Sequence, residues 1–145
     1  MRLWHKDLIT ALPRQQLLSQ WRECCCIARH IAVNGTPNHL LVNKVLDYPI
    51  GDFTVYCELV MQEMNDRGYE VSFGSYSRLC DNLSIASRNA CFSQEQSEKM
   101  FGGWHNNRYF WQCYFNLQEK YDCGGITEEE WSRIEESLLR NMKEE

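Results

Sequence analysis

The segment from Pro13 to Asn34 constrains the fold of this chain more than any other part of it. Its apolar residues recur at the three- and four-residue spacing of one helix face, at positions 17, 21, 24, 28 and 31. Proline stands in the first turn, where its missing amide hydrogen is not needed, and Gly35 provides a stop. We therefore expect a single compact helical domain built around this long N-terminal helix.

The rest of the chain also has helical patterns, and no alternating strand pattern is longer than four residues, which predicts an all-α fold. Asp52 is placed to cap a helix, and Thr127 with Glu130 forms a capping box. The stretch 69–90 is rich in serine and asparagine, and we expect a loop there with one short helix at most. Five further helices are predicted, over residues 38–48, 53–66, 93–102, 107–121 and 127–145.

Length and composition are those of one folded domain. The chain has 145 residues, 43% of them hydrophobic, and we treat 1–145 as one domain with an acidic C-terminal helix. No apolar run approaches the ~20 residues that cross a bilayer, and the N-terminal residues lack the apolar core of a secretory signal. The sequence thus predicts a cytoplasmic protein with no membrane partner.

The eight cysteines are scattered and show no CxxC spacing. In a reducing compartment such cysteines are typically free, buried thiols, so neither a disulfide framework nor a structural zinc site is indicated. We predict no metal and no cofactor.

Charge is unevenly spread along the chain, whose net charge is −5. Residues 1–50 carry a net charge of +3, and the remaining residues carry −8. The acidic balance argues mildly against nucleic acid as a partner, but the basic N-terminal third is compatible with phosphate binding.

The long helix also has a polar stripe. At 100° per residue, Arg22, Glu23, Cys26, Arg29 and His30 fall on the side opposite the apolar face. One interpretation is an ordinary solvated face. The other is an anion site, in which three cations surround a carboxylate that handles protons. Cys26 and His30 are also spaced for a metal or a thiol nucleophile pair, but no third ligand is evident.

Several motifs along the chain are similar to those of one known family. Trp21-Arg22-Glu23 is an aromatic-Arg-Glu triplet on a long helix behind a short N-terminal arm, followed by VNG at 33–35 and RGY at 67–69. By these residues the chain resembles the pyrimidine-dimer DNA glycosylases of the phage endonuclease V-like family. Its similarity to the bacterial branch of that family extends further, over NGTPNH at 34–39, LVNKVLDY at 41–48 and QCYFNLQEKYDCGGI at 112–126.

The resemblance implies a mechanism in which the α-amine of the first residue attacks C1′ of the damaged nucleotide. An imine forms, β-elimination follows, and the glutamate of the triplet is the acid/base partner. An α-amine suits this task because it is less basic than a lysine side chain by about two to three pKa units. Here the bulky Arg2 should block removal of the initiator, so the catalytic residues would be Met1 and Glu23.

The resemblance also implies contacts with DNA. Arg2 follows the nucleophile as an arginine does in the family, and Arg22 matches a phosphate-binding arginine. Where the family has a further DNA-contacting arginine, this chain has Cys26, and Arg29 one turn later is our candidate replacement. His30 is the fourth candidate on this side of the molecule.

The segment WHNNRYFW at 104–111 is the best candidate for an aromatic contact with the bases. Trp104 could stack on a base and Arg108 could bind a phosphate, although Trp104 and His105 could equally be structural. We expect Phe110 to belong to the core.

Together these expectations predict a DNA repair glycosylase with AP-lyase activity on damaged double-stranded DNA, either pyrimidine-dimer or abasic. The alternative is a non-catalytic nucleic-acid or protein interaction module on the same scaffold, which the acidic net charge and Cys26 favour. The sequence leaves the oligomeric state open.

Overall fold

The structure, a computed structural model, describes residues 1–89 and 97–143. These ranges contain no strand, which confirms the predicted all-α class. Two short 3₁₀ helices, Lys6–Ala11 and Asn43–Asp47, accompany the α-helices. The five α-helices are α1 (Arg14–Asn34), α2 (Ile50–Asp66), α3 (Phe73–Asn89), α4 (Asn107–Asp122) and α5 (Glu128–Lys143).

Helix α1 has the extent that the sequence predicts. Pro13 precedes it, and Gly35 ends it in the left-handed region at φ 78°, with its N–H donating to the Ile31 carbonyl at 2.8 Å. The predicted apolar face is buried at Leu17, Trp21, Cys24, Ala28 and Ile31. Gln20, which the pattern did not single out, is fully buried as well.

Helix α3 contradicts the prediction of a loop over residues 69–90. It is 17 residues long and packs mainly against α1. Leu79, Leu83 and Ala86 form its buried face, at the four- and three-residue spacing of one helix side. The serine and asparagine residues that suggested a loop lie mostly on the other sides, so burial of a narrow apolar face outweighs weak helix propensity.

The helix predicted over 38–48 is wrong as well. Only Asn43–Asp47 is helical, and it is a short 3₁₀ turn. Asn38 has φ 53°, which no continuous helix accommodates. The Asn43 side chain accepts a hydrogen bond from the His39 N–H at 3.0 Å, so a side chain closes the turn in place of a helical backbone bond.

Asp52 does not cap α2, because the helix already begins at Ile50. Its fully buried carboxylate instead accepts hydrogen bonds from the Ser97 N–H and hydroxyl, both at 2.7 Å, and from the Phe101 N–H at 3.1 Å. The first residues of the helix predicted over 93–102 lie outside the described residues, and 98–104 form turns. Asp52 therefore anchors this turn segment to the start of α2.

The capping box at the start of α5 is confirmed. The Thr127 N–H donates to the Glu130 carboxylate and the Glu130 N–H donates to the Thr127 hydroxyl, both at 3.1 Å. The Glu130 carboxylate also accepts from the Arg14 N–H at 2.9 Å, and burial of Trp131 and Ile134 holds the helix on the core. The acidic helix thus packs on its own chain, beside the first turn of α1.

Buried side chains from every α-helix form one hydrophobic cluster. The seven cysteines in the described ranges are free thiols. None of the described helices combines the length and apolar character that a membrane span requires. The described residues also contain no group of three or more potential metal-ligating side chains.

Candidate active site

The N-terminal arm, residues 1–5, lies along the polar edge of α1. The Arg2 N–H donates to Oε2 of Glu23 at 3.4 Å. Successive backbone nitrogens are at most about 3.7 Å apart, so the Met1 α-nitrogen lies within about 7 Å of that oxygen. Met1 is 38% exposed, and no ion pair in the described residues joins it to Glu23. The amine therefore lies near the carboxylate without being paired with it, so one carbon placed between the two groups would be within reach of both.

The buried side chain of Gln20 bonds the arm to α1. Its side-chain Oε1 accepts from the Trp4 N–H at 2.8 Å, and its Nε2 donates to the Arg2 carbonyl at 2.9 Å. The same Nε2 lies 3.3 Å from Oε2 of Glu23. Because both backbone partners are fixed, the orientation of this amide is determined. One buried side chain thus positions both the arm and the carboxylate.

Tyr56 of α2 bonds both the arm and Gln20. We call Gln20 and Tyr56, together with their hydrogen bonds to the arm, the arm clasp. The Tyr56 hydroxyl donates to the Trp4 carbonyl at 2.6 Å and lies 3.0 Å from Oε1 of Gln20. The phenol is fully buried, and that burial raises the pKa of Tyr56 well above its ordinary value. The arm clasp consists of neutral groups, so its geometry does not depend on pH near neutrality.

Helix α4 holds the other side of the arm. The Arg2 guanidinium lies 5.6 Å from the centre of the Trp4 ring and 5.9 Å from that of Tyr109, within the range of cation–π attraction. It also approaches the Cys113 sulfur at 3.9 Å. The Tyr109 hydroxyl donates to the Leu3 carbonyl. Arg2 is thus held against aromatic rings beside the terminus, as a fixed positive charge.

The sequence model of the pyrimidine dimer DNA glycosylase family matches residues 1–75, just over half of the chain. The chain belongs to this family. The matched range contains the arm, Gln20, Glu23 and Tyr56. Membership implies a DNA glycosylase, a DNA repair enzyme that binds damaged DNA. A comparison with curated proteins finds no match, and neither does a comparison with solved structures.

In this glycosylase the cations of the polar stripe do not surround the Glu23 carboxylate, in contrast to the anion site that the sequence suggested. Glu23 forms no ion pair with any described cation, since its hydrogen-bond donors are Arg2 and Gln20. Arg22 is exposed and donates to the Ser19 hydroxyl at 3.2 Å. His30 lies 3.7 Å from the Cys26 sulfur. The stripe is a row of separate polar groups beside the carboxylate.

Sequence reasoning missed Arg78, which lies on the unpredicted helix α3. With Arg29 it lines a cleft of about 350 Å³ between α1 and α3. Two guanidinium groups at one cleft are suited to an anion such as a DNA phosphate. The only sequence signal for Arg78 was its four-residue spacing with Asn82, which also lines the cleft. A four-residue spacing places two side chains on one face only in a helix, and residues 73–89 were not predicted to be helical.

The structure separates the two candidates of the segment 104–111. Trp104 is 5% exposed and packs with ring centres 4.9 Å from Phe101 and 4.7 Å from His105. Arg108 is exposed and lines a second cleft, together with Lys44. Phe110 is buried in the core, as predicted. Of the two candidates, Arg108 is therefore exposed and Trp104 belongs to the core.

His105 ties the arm to the start of α4. Its Nδ1 accepts from the Lys6 N–H at 2.9 Å, whereas its buried Nε2 has no partner among the described residues. Burial, helped by the neighbouring His5 and Lys6, lowers the pKa of His105 to about 2. Burial also lowers the pKa of His5, against the opposing effect of Asp7. Both rings are therefore neutral in the folded enzyme.

This neutrality predicts a loss of stability in acid. The pKa of His105 is about 2 when folded and 6.5 when unfolded, so between these values the unfolded chain binds more protons. His105 has no effect well above pH 6.5 and destabilises the fold increasingly below it. Between pH 7.5 and pH 5.5 we expect it to lower the free energy of unfolding by about 1.4 kcal/mol.

Urea unfolding at the two pH values measures this difference. His105→Asn keeps an acceptor for the Lys6 N–H but does not titrate, so the pH-dependent loss should shrink by about 1.4 kcal/mol. An equal loss in both proteins would show that His105 is not the group responsible.

Proposed function

We propose that this glycosylase is also an AP lyase and that the Met1 α-amine is its nucleophile. The single observation that carries the proposal is the 3.4 Å contact between the Arg2 N–H and Glu23, which brings the first residue to the carboxylate. The arm clasp supports it, because three of its hydrogen bonds hold a segment that would otherwise fray.

The proposed reaction proceeds in four steps. The amine attacks C1′ of the damaged nucleotide, and the N-glycosidic bond breaks with its electron pair leaving on the base, which takes up a proton. The nitrogen of the adduct loses a proton, and the C1′–O4′ bond of the sugar then breaks, with its electron pair leaving on O4′, which takes up a proton. The protonated imine that results makes the C2′ hydrogen acidic. Removal of that hydrogen expels the 3′ phosphate, and water then hydrolyses the imine and releases the amine.

Glu23 acts in these steps as a proton carrier and as a negative charge beside C1′. A carbon in the gap between the amine and the carboxylate would lie within reach of both groups. The carboxylate would stabilise positive charge that develops at C1′ and would take the C2′ proton. No metal or organic cofactor enters this scheme.

Damaged double-stranded DNA would lie across this face of the molecule. Arg2 and Arg22 stand beside the reacting groups, and Arg29 with Arg78 provides a phosphate site further along α1. His30, whose ring lies 3.7 Å from the Cys26 sulfur on the same helix, would add a hydrogen bond. Because the net charge is −5, attraction to DNA would depend on these local cations.

Reduction with borohydride in the presence of abasic-site DNA tests the proposal. The full chain should form a covalent adduct, and peptide mapping should place it on Met1. Lys6 is the rival amine, because it lies beside the arm and burial lowers its pKa. The Lys6→Met variant should therefore still trap DNA, whereas chain acetylated at its N-terminus should not.

An adduct on Lys6, or one that survives acetylation, would refute Met1 as the nucleophile. The mass of the purified protein is a necessary companion measurement, because loss of Met1 would expose Arg2 as the first residue. DNA binding without any adduct would favour the non-catalytic alternative.

A further inference from the structure

The most exposed apolar side chain described is Leu40, which follows directly on the polar turn after α1. It is 87% exposed, and the adjacent Leu41 is 51% exposed. Burying a leucine side chain typically contributes about 1.5–3 kcal/mol. Leu40 and Leu41 do not gain this stabilisation, because both lie in solvent. The core beneath them is covered by the buried side chains of Val42 and Val45, so packing of the core does not explain why the leucines are exposed.

The turn that presents these leucines is held rigidly by its own hydrogen bonds. The Asn38 N–H donates to the Thr36 hydroxyl at 3.1 Å, and the Leu41 N–H donates to Nδ1 of His39 at 3.3 Å. The His39 carbonyl accepts from the N–H groups of Val42 and Asn43, at 3.1 and 2.9 Å. The leucines are thus presented on a fixed tip, which lowers the entropy that their binding would cost.

The tip stands beside two cations and next to the candidate active site. Leu40 and Leu41 line a cleft of about 320 Å³ together with Lys44 and Arg108. Tyr109 also lines this cleft, and the same ring contacts the Arg2 guanidinium at 5.9 Å. Tyr109 therefore borders both the leucine cleft and the arm that carries Met1.

We propose that Leu40 and Leu41 form an apolar wedge that enters the base stack of duplex DNA beside the lesion. Lys44 and Arg108 would contact the flanking phosphates. The partner is assigned as DNA because two cations flank the apolar tip and because the enzyme belongs to a DNA glycosylase family. This inference rests on the proposed function, because the wedge lies beside the lesion only if Met1 and Glu23 are the reacting groups.

The wedge would serve the step that precedes chemistry. A nucleotide or its partner must leave the stack before C1′ can be reached, at a cost of a few kcal/mol. Apolar side chains that enter between base steps offset part of this cost by filling the space left behind. A single strand has no stack to open, so the wedge should matter only for duplex substrates.

The test compares Leu40→Ala with Leu139→Ala in the full chain. Leu139 is a matched control, because it is 57% exposed and lies on α5. Under single-turnover conditions, Leu40→Ala should cleave an abasic site in duplex DNA about tenfold more slowly than the control. The same site in a single strand should be cleaved at equal rates by both variants.

A second measurement does not depend on cleavage. A duplex with a tetrahydrofuran abasic analogue and an adjacent 2-aminopurine reports unstacking as a rise in fluorescence when the enzyme binds. Leu40→Ala should reduce that rise, and Leu139→Ala should not. Equal fluorescence changes and equal duplex rates for the two variants would overturn the wedge. Failure of the proposed function would appear differently, as wild-type enzyme that cleaves neither substrate but still unstacks the probe.

Discussion

Glu23→Gln should lower the single-turnover rate of abasic-site cleavage by about a hundredfold to ten-thousandfold, the range that a positioned acid/base group contributes. The glutamine amide can still accept the hydrogen bonds that Arg2 and Gln20 donate to the carboxylate. Position is therefore preserved, whereas the charge and the ability to take a proton are lost.

The fold should tolerate this change. Glu23 is only half-buried and makes no ion pair with any described cation, so we expect the free energy of unfolding to change by less than about 1 kcal/mol. Glu119→Gln provides the matched control, because this glutamate is exposed near the end of α4. Quenched-flow measurements with labelled abasic-site duplex compare the three proteins directly.

Two outcomes would contradict the role given to Glu23. Wild-type cleavage rates in Glu23→Gln would show that the carboxylate carries no proton in the slow step. A rate loss accompanied by an equal loss of DNA affinity would instead make Glu23 a binding residue. The dissociation constant for the tetrahydrofuran duplex separates these cases, since that analogue cannot form an imine.

The sequence was sufficient for those parts of the enzyme that depend on local pattern. Helix α1, its Gly35 stop and the capping box of Thr127 with Glu130 each follow from spacing within a few turns. The pairing of the arm with Glu23 was predicted from family resemblance, because no periodicity connects residue 2 with residue 23. The contact at 3.4 Å supports that expectation.

The features that escaped prediction depend on contacts between distant parts of the chain. Asp52 looked like a helix cap, but its partners are Ser97 and Phe101, more than forty residues away. Arg78 joins Arg29 only because α3 packs against α1. Gln20 looked like one more polar residue of α1, yet it bonds residues of two other segments, the arm and α2.

Gln20→Leu should show how much of the enzyme's activity depends on the arm clasp. Removal of the amide leaves the Trp4 N–H and the Arg2 carbonyl without their partner, which should cost about 2–4 kcal/mol of folding free energy. An enzyme of ordinary stability remains folded at 25 °C after such a loss. The freed arm should nevertheless lower the single-turnover rate by about a hundredfold, because small errors in the position of a nucleophile have effects of that size.

Control variants separate a displaced nucleophile from an unfolded protein. Gln62→Leu is the matched control, because the side chain of this exposed glutamine of α2 bonds only Asp66 among the described residues, and the rate of this variant should stay at the wild-type value. Tyr56→Phe is the milder clasp variant, since it removes one donor to the Trp4 carbonyl and leaves Gln20 in place. Its rate should fall between those of wild type and Gln20→Leu.

Affinity for the tetrahydrofuran duplex provides the decisive comparison. Of the proposed DNA-contacting arginines only Arg2 lies on the arm, whereas Arg22, Arg29 and Arg78 belong to α1 and α3. Affinity should therefore stay within about fivefold of the wild-type value in all three variants. A rate that falls with unchanged affinity in a folded protein identifies Gln20 as a positioning residue for the amine. If Gln20→Leu instead unfolds more easily but cleaves at the wild-type rate, the clasp stabilises the fold alone, and the arm finds Glu23 without it.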